Sequence, residues 1–348
     1  MHYTKPSYYD KFLCTAGDCP DTCCQAWQII IDKDSMVKYR NDPLLLDYVR
    51  DSIDYDSCVE GPVYKLKDGK CIHLTRDGLC EMQLKFGFDS LCNVCRKYPR
   101  HEEEYDGERE LSIDISCPEG AALVLGDEDG TFSYSEDDRE EDGDYDDFDY
   151  FLYSELFDGR DRIFSILNDR GETSLSGLMS KILALGDYWQ NCLDENRVSE
   201  MSEIDALDLY GFTFDKEKKL FSRLYEMEFL KPERLQIVKR TEEYVFSSED
   251  RYESSCRELE KYSLYIKRLL RFMIYRYFGG AVYDDEIFAR LAFSIFCSRW
   301  SFFVFLSDPE RQKDETGQMV KSVYIFSREI EHSDTNISML FDAFRGTR

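Results

Sequence analysis

The sequence predicts a mainly α-helical protein whose N-terminal domain is irregular, rich in cysteine and built from short strands. Ten of the 13 cysteines lie among the first 117 of 348 residues. From residue 150 onward, apolar residues recur at intervals of three and four, which is typical of packed amphipathic helices. We therefore divide the chain into a cysteine-rich domain (1–126), an acidic linker or loop (127–149) and a helical domain (150–348).

Local signals in the first domain predict short elements joined by loops. The apolar run Trp27–Ile31 favours a short strand, and Asp34-Ser35 favours a helix start. Asp68-Gly69, between two short apolar runs, is typical of a hairpin turn. Two further helices are predicted at Cys80–Phe86 and Pro118–Leu125, since proline suits the first helical position.

The cysteines of this domain are spaced as in metal sites. Adjacent and near-adjacent thiols can converge on one iron–sulfur cluster or on zinc, which makes this a predicted metal-binding domain. Four such segments within about a hundred residues are a stronger signal than a single CxxC pair. The full set is Cys14-x4-Cys19-x3-Cys23-Cys24, Cys58, Cys71, Cys80, Cys92, Cys95 and Cys117.

A disulfide framework is the alternative use of these cysteines. Residues 1–10 are polar and aromatic and lack the apolar region of a secretory signal. The sequence thus predicts a cytoplasmic protein, in which thiols stay reduced and metal ligation is favoured over disulfides.

The charge of the chain limits its partners. The formal net charge is −27, which argues against binding nucleic acid or an anionic membrane surface and suits a basic protein. Segment 127–149 holds 13 acidic residues and only one basic residue, Arg139. Such a block predicts a solvated linker, and the alternative is a surface that attracts a basic substrate segment.

The second domain is predicted to be a bundle of amphipathic helices. One apolar stripe, from Tyr262 to Met273, is typical of a helix face packed in a core. The most apolar window, Leu291–Leu306, is interrupted by Arg299 and flanked by charge. It is too short and too polar to span a bilayer, so it predicts a buried helix and no membrane partner.

The order of the N-terminal motifs resembles the flagellin lysine-N-methylases, the FliB-like family. Residues 5–125 carry the match, and the same half is similar to the CxxCxxCC proteins, which are described as zinc- or iron-chelating domains. The matching blocks are Phe12-x-Cys14-x4-Cys19-Pro20-Asp21-Thr22-Cys23-Cys24-x2-Trp27-x-Ile29-x-Ile31-Asp32, Cys71-Ile72-His73-Leu74, Asp77-Gly78-Leu79-Cys80-Glu81-Met82-Gln83, Cys95-Arg96-x-Tyr98-Pro99-Arg100, Leu111-Ser112 and Ser116-Cys117-Pro118-Glu119-x-Ala121.

The resemblance implies transfer of a methyl group from S-adenosylmethionine to a lysine of a protein, flagellin or another lysine-bearing protein. It also implies a 4Fe–4S cluster held by cysteines. Cys92 departs from the family pattern, and Cys58 lies in a variable stretch. The implied metal ligands are Cys14, Cys19, Cys23, Cys24, Cys71, Cys80, Cys95 and Cys117.

Four further residues are candidates for the chemistry. A lysine has an unperturbed pKa of about 10.4, so it must lose a proton before its nitrogen can attack. Asp21 and Tyr98 are the candidate catalytic proton acceptors, although Asp21 suits a loop residue that accepts backbone N–H bonds equally well. Arg100 is a candidate to bind the carboxylate of the cofactor, with a structural ion pair as the alternative. Trp27 is a candidate surface for the adenine, with a core position as the alternative.

The sequence lacks the motifs of other folds that bind S-adenosylmethionine. There is no GxGxxG after a predicted strand and no CxxxCxxC motif. A cluster with only three cysteine ligands would leave one iron open to S-adenosylmethionine. His73 alternates with apolar residues, which favours a structural role over metal ligation. The rival function is a non-enzymatic zinc- or iron-binding module for protein interaction or metal delivery.

Overall fold

The computed structural model describes residues 1–56, 61–139, 145, 147–168, 174–204, 207 and 209–348. Helices dominate this part of the chain, which confirms the mainly α-helical class. The helices are α1 (Lys33–Asn41), α2 (Pro43–Val49), α3 (Glu81–Phe86), α4 (Asn93–Lys97), α5 (Pro118–Gly126), α6 (Tyr150–Asn168), α7 (Leu175–Asp194), α8 (Phe214–Phe221), α9 (Leu235–Val245), α10 (Glu249–Leu259), α11 (Ser263–Tyr277), α12 (Ala281–Asp284), α13 (Ile287–Ser307), α14 (Glu315–Glu331) and α15 (Asp334–Arg345).

Helix α13 is the centre of the main hydrophobic core. It packs against α7, α9, α11, α14 and α15, and its side chains are buried almost throughout. It is long and apolar enough to cross a membrane, and the only such helix in the described residues, but 94% of its most apolar window is buried inside the protein. The sequence prediction of a buried helix here is therefore confirmed.

Arg299 interrupts that apolar helix without leaving a buried charge unpaired. Its Nε lies 2.8 Å from Oε1 of Glu217 in α8, and both side chains are 1% exposed. The indole of Trp300 and the hydroxyl of Tyr252 also donate hydrogen bonds to the Glu217 carboxylate. Such partners offset part of the hydration that the buried pair loses, although Nη1 of Arg299 has no hydrogen-bond partner among the described residues.

A four-stranded sheet joins the two ends of the first domain. Its strand order is β6-β7-β1-β8, with β1 parallel to β7 and antiparallel to β8. The hydroxyl of Tyr275 in α11 donates to Thr4 and Leu111 carbonyls, which ties the helical core to β1 and β7. The strands are β1 (His2–Pro6), β2 (Ile53–Asp54), β3 (Val63–Tyr64), β4 (Leu66–Lys67), β5 (Lys70–Cys71), β6 (Arg100–Tyr105), β7 (Glu108–Ile113) and β8 (Phe132–Glu136).

The cysteine-rich region has a small core of its own. Ile29, Ile31, Tyr39 and Tyr64 are among its buried residues. Strands β4 and β5 pair around Asp68 and Gly69, both with positive φ, so the predicted hairpin is present. The helices predicted at 80–86 and 118–125 form as α3 and α5.

Two local predictions in this region were wrong. The run Trp27–Ile31 is not a strand, because only Ile30 bridges to Val63 while Ile29 and Ile31 supply apolar side chains to the small core. Helix α1 starts earlier than Asp34-Ser35, since the Asp32 side chain accepts from the Ser35 backbone N–H and caps it.

The acidic segment 127–149 is only partly a loop in the described residues. Phe132–Glu136 forms β8 beside β1, and Arg109 and Arg139 neutralise some of the neighbouring carboxylates. Residues 140–144 and 146 lie outside the described residues, as does Cys58. The division of the chain into domains at this segment stays a prediction.

Candidate metal and cofactor site

Seven of the eight cysteines implied as ligands line one cavity of about 350 Å³. The cavity lies where the cysteine-bearing loops meet α14, and Arg328 of that helix is part of its wall. No cysteine in the described part of the chain forms a disulfide. The seven that line the cavity are Cys14, Cys19, Cys23, Cys24, Cys80, Cys95 and Cys117.

Two of these thiols lie at helix starts. Cys80 and Cys117 immediately precede α3 and α5, so their sulfurs lie near the first N–H groups of each helix. Burial raises the pKa of Cys117 to about 11, while hydrogen bonds from the Gly120 and Glu119 N–H groups oppose that rise. A bound metal cation would favour the thiolates that these N–H groups already stabilise.

The adjacent pair Cys23-Cys24 is the centre of the set. Hydrogen bonding from Cys23 lowers the pKa of the Cys24 thiol to about 7 and raises that of Cys23. Cys23 also interacts electrostatically with Cys14 and Cys117, so thiols from distant segments lie close together.

Cys71 and Cys92 take positions that the resemblance does not anticipate. Cys71 is buried in the small core and does not line the cavity, although it interacts with Cys24 and Cys80. Cys92 is fully buried and its thiol hydrogen-bonds with that of Cys95. The spacing Cys92-x2-Cys95 was the available sequence signal for this contact. The ligand role of Cys71 stays a prediction.

The chemistry of the donor set allows more than one metal. In the described residues, no group of three Cys, His, Asp or Glu side chains is arranged to hold a metal ion. Thiolates are ligands of both zinc and iron–sulfur clusters. The 4Fe–4S cluster and its zinc alternative therefore stay predictions.

Asp21 holds the first cysteine loop against the helical core. Its carboxylate lies 2.8 Å from Lys231 Nζ, 2.6 Å from Arg234 Nη2 and 3.0 Å from Arg328 Nη1. Burial favours the neutral acid, but the charges of Arg328, Lys231 and Arg234 outweigh it and lower the pKa of Asp21. A carboxylate in three ion pairs is a weak base, and its catalytic role stays a prediction.

Arg328 was missed in the sequence analysis and is the main link between the loops and α14. Its guanidinium donates to the carbonyls of Asp21, at 3.0 Å, and Ser116, at 2.9 Å, and its side chain is 3% exposed. One cation therefore fixes the backbone beside Cys19, Cys23 and Cys117. No local motif marks such a residue, because its partners lie more than 200 positions away in sequence.

Tyr98 and Trp27 lie between this cavity and a second one of about 410 Å³. The rings of Trp27, Tyr98 and His332 are mutual neighbours, with centroids 4.5 to 5.8 Å apart. The Tyr98 hydroxyl lies 3.1 Å from Ser116 Oγ, and burial raises the pKa of Tyr98 well above its ordinary value. Arg100 borders both cavities and its guanidinium lies over Phe12.

His73 is a structural residue in this fold, as the sequence favoured. Its Nε2 lies 3.0 Å from Ser52 Oγ and its Nδ1 lies 3.2 Å from the Tyr48 hydroxyl. Both ring nitrogens therefore have hydrogen-bond partners in the small core, and neither is left for a metal.

His332 should make folding stability sensitive to mild acid. Burial, followed by the positive charges of Arg328 and Arg234, lowers the pKa of His332 to about 4. The unfolded state binds a proton near pH 6.5, so stability should fall as the pH drops from about 6.5 to 4, by at most about 3 kcal/mol. Urea unfolding at pH 7 and pH 5 would measure this, and His332→Phe should reduce the difference. An equal pH dependence in both proteins would contradict the assignment.

Comparison with known proteins shows the family of this chain. The flagellar biosynthetic protein FliU of Salmonella muenchen is 31% identical over 133 residues, which cover 78% of that protein and 36% of this chain. The chain belongs to the family of FliU and the lysine-N-methylases. Lysine-N-methylases of Salmonella typhimurium and Salmonella choleraesuis are also 31% identical over 133 residues, but this match spans only 33% of their length.

For this member of the lysine-N-methylase family, no family model matches the chain and no solved structure matches it.

Proposed function

We propose that this protein is an S-adenosylmethionine-dependent protein lysine N-methyltransferase that holds a 4Fe–4S cluster on its N-terminal cysteines. The observation that carries the proposal is the convergence of seven unbonded cysteines on one cavity in a chain of the lysine-N-methylase family. Alignment with the curated lysine-N-methylases covers about a third of their length, so the activity is our proposal for the whole chain.

The cluster would be held by thiols around the cavity, with Cys23, Cys24, Cys95 and Cys117 as the first candidates. They come from three separate segments: Cys23 and Cys24 lie in the first cysteine loop, Cys95 lies in α4 and Cys117 immediately precedes α5. If three of the four thiols bound the cluster, the remaining iron would supply a binding position for the amino and carboxylate groups of S-adenosylmethionine.

Other residues that line the cysteine cavity suit the adenine and the carboxylate of S-adenosylmethionine. Trp27 offers an aromatic face at the boundary of the cavity, and Arg100 offers a guanidinium that can bind a carboxylate. Tyr98 is buried with a raised pKa, so it is neutral at pH 7 and can donate a hydrogen bond. Asp21 maintains the loop geometry through its three cationic partners.

The protein substrate is proposed from the family. The relatives are named for flagellar biosynthesis and for lysine methylation, which suggests flagellin or another lysine-bearing protein. A net charge of −27 would attract a basic segment of such a protein and repel nucleic acid. A cytoplasmic location and the absence of a membrane partner stay predictions.

Anaerobic reconstitution tests the proposal directly. We expect a brown protein with about four irons per chain and transfer of a labelled methyl group from S-adenosylmethionine to lysines of flagellin. Chelation of the iron should abolish the transfer. A colourless protein with bound zinc, or an iron-loaded protein that methylates neither flagellin nor other candidate proteins, would contradict the proposal and favour the non-enzymatic metal module.

A further inference from the structure

The second cavity lies next to the cysteine cavity and shares part of its wall. Trp27, Val94, Tyr98 and Arg100 line both. Its volume of about 410 Å³ exceeds that of the cysteine cavity, and it is lined partly by exposed residues such as Lys97 and Asp334. A side chain that enters here from the surface would therefore approach the cysteine cavity along the aromatic wall.

Three elements bring carboxylates and one guanidinium to the inner end of this cavity. Asp114 follows β7, Glu331 ends α14 and Arg276 comes from α11. The Nε of Arg276 lies 3.9 Å from Asp114 Oδ1, and its Nη1 lies 3.3 Å from Glu103 Oε2. The guanidinium of Arg276 is therefore shared between the carboxylates of Asp114 and Glu103.

His101 lies between these charged groups. Its Nδ1 lies 3.1 Å from Arg276 Nη2, and its Nε2 lies 3.1 Å from Glu103 Oε2. Glu331 has no cation within ion-pair distance among the described residues. The inner end of the cavity thus holds more carboxylates than cations.

The titration of Glu331 agrees with this imbalance. Burial, followed by the charge of Asp114, raises its pKa to about 8, and Arg276 opposes the rise only in part. Tyr277, Ser327 and Cys297 are its other polar neighbours, and none of them carries a positive charge. A cationic ligand placed here would stabilise the ionised carboxylate.

We propose that the second cavity binds the side chain of the acceptor lysine, with the rings of Trp27, Tyr98 and His332 beside its stem and Glu331 facing its ammonium group. This inference rests on the proposed methyltransferase function and names the substrate position within it. Aromatic walls with an acidic end are suited to alkylammonium groups, because ring faces attract cations and apolar stems pack on rings. The other two cations of this cavity, Lys97 and Arg100, lie at its exposed rim.

A matched pair of peptides tests the inference on the iron-loaded protein. One is a flagellin peptide with a single lysine, and the other carries norleucine in its place, so the two differ only in the ammonium group. We expect the lysine peptide to bind at least tenfold more tightly in calorimetry. Equal binding of the two peptides to the wild-type protein would overturn the inference, and this comparison needs no folded variant.

The variant Glu331→Gln keeps the shape of the side chain and removes its charge. Glu331→Gln should weaken binding of the lysine peptide about tenfold and leave binding of the norleucine peptide unchanged. It should also raise the KM for flagellin, while iron content and affinity for S-adenosylmethionine are retained. Glu315→Gln, at the exposed start of the same helix, is the control and should change none of these values. Weaker cofactor binding with an unaltered KM for flagellin would assign the cavity to the cofactor instead. A wild-type protein that binds the lysine peptide selectively but methylates nothing would defeat the proposed function and leave the binding site standing.

Discussion

Replacing Cys23 with serine is expected to remove most of the bound iron and to lower methyl transfer at least a hundredfold. Cys23 hydrogen-bonds with Cys24 and interacts electrostatically with Cys14 and Cys117, so it lies near three of the other converging thiols. Serine has nearly the same volume but is a poor ligand for iron, because its hydroxyl stays protonated where a thiolate forms.

Iron analysis and the visible absorbance of anaerobically purified protein would measure the effect of Cys23→Ser. The matched control is Cys256→Ser, because Cys256 lies in α10 and its sulfur accepts a hydrogen bond from Arg299 that serine can also accept. The control should keep its iron and its activity. Full iron content in the Cys23 variant would contradict the prediction, because the iron would then be held by other residues.

The variant Arg328→Met should cost about 3 kcal/mol of folding stability and loosen the metal site. Methionine fills similar space but leaves buried carbonyls of Asp21 and Ser116 without their donor, and it removes one of three cations from the Asp21 carboxylate. Breaking a buried ion pair on one side is strongly destabilising because it leaves the remaining charge poorly compensated.

Urea unfolding of the metal-free protein would isolate this loss of stability from any change in metal affinity. Iron retention during dialysis against a chelator would then report on the cysteine loops. Arg257→Met is the control, since Arg257 is 70% exposed and its pair with Glu253 is worth only about 0.5 kcal/mol. Equal stability of the Arg328 and Arg257 variants would mean that Arg328 does not anchor the loops.

Features that depend on neighbouring residues were predictable from the sequence. The helical class follows from apolar periodicity, the hairpin from Asp68-Gly69 and the start of α5 from Pro118. Each of these signals lies within a few residues of the structure it predicts. The cysteine spacing predicted a shared metal site; seven of these cysteines line one cavity, and their role as ligands stays a prediction.

Features that depend on distant partners could not be read from the sequence. This limit applies to α14, whose Arg328 and Glu331 reach the two cavities and look like ordinary surface charges of an amphipathic helix. Arg328 and Glu331 line these cavities only because α14 packs against the first domain, and the sequence does not show that packing. The Asp106-Gly107 turn between β6 and β7 was a local signal that the sequence analysis missed, because the charged strands beside it lack the apolar alternation of a strand.

The three cations around Asp21 also set an order of events during synthesis. Lys231, Arg234 and Arg328 leave the ribosome long after the cysteine loop that they stabilise. Until they arrive, the only partner that the first domain offers this carboxylate among the described residues is the amide of Gln25, so its charge is uncompensated. If the cysteines hold iron as we propose, stable incorporation of the metal should therefore follow translation of α14.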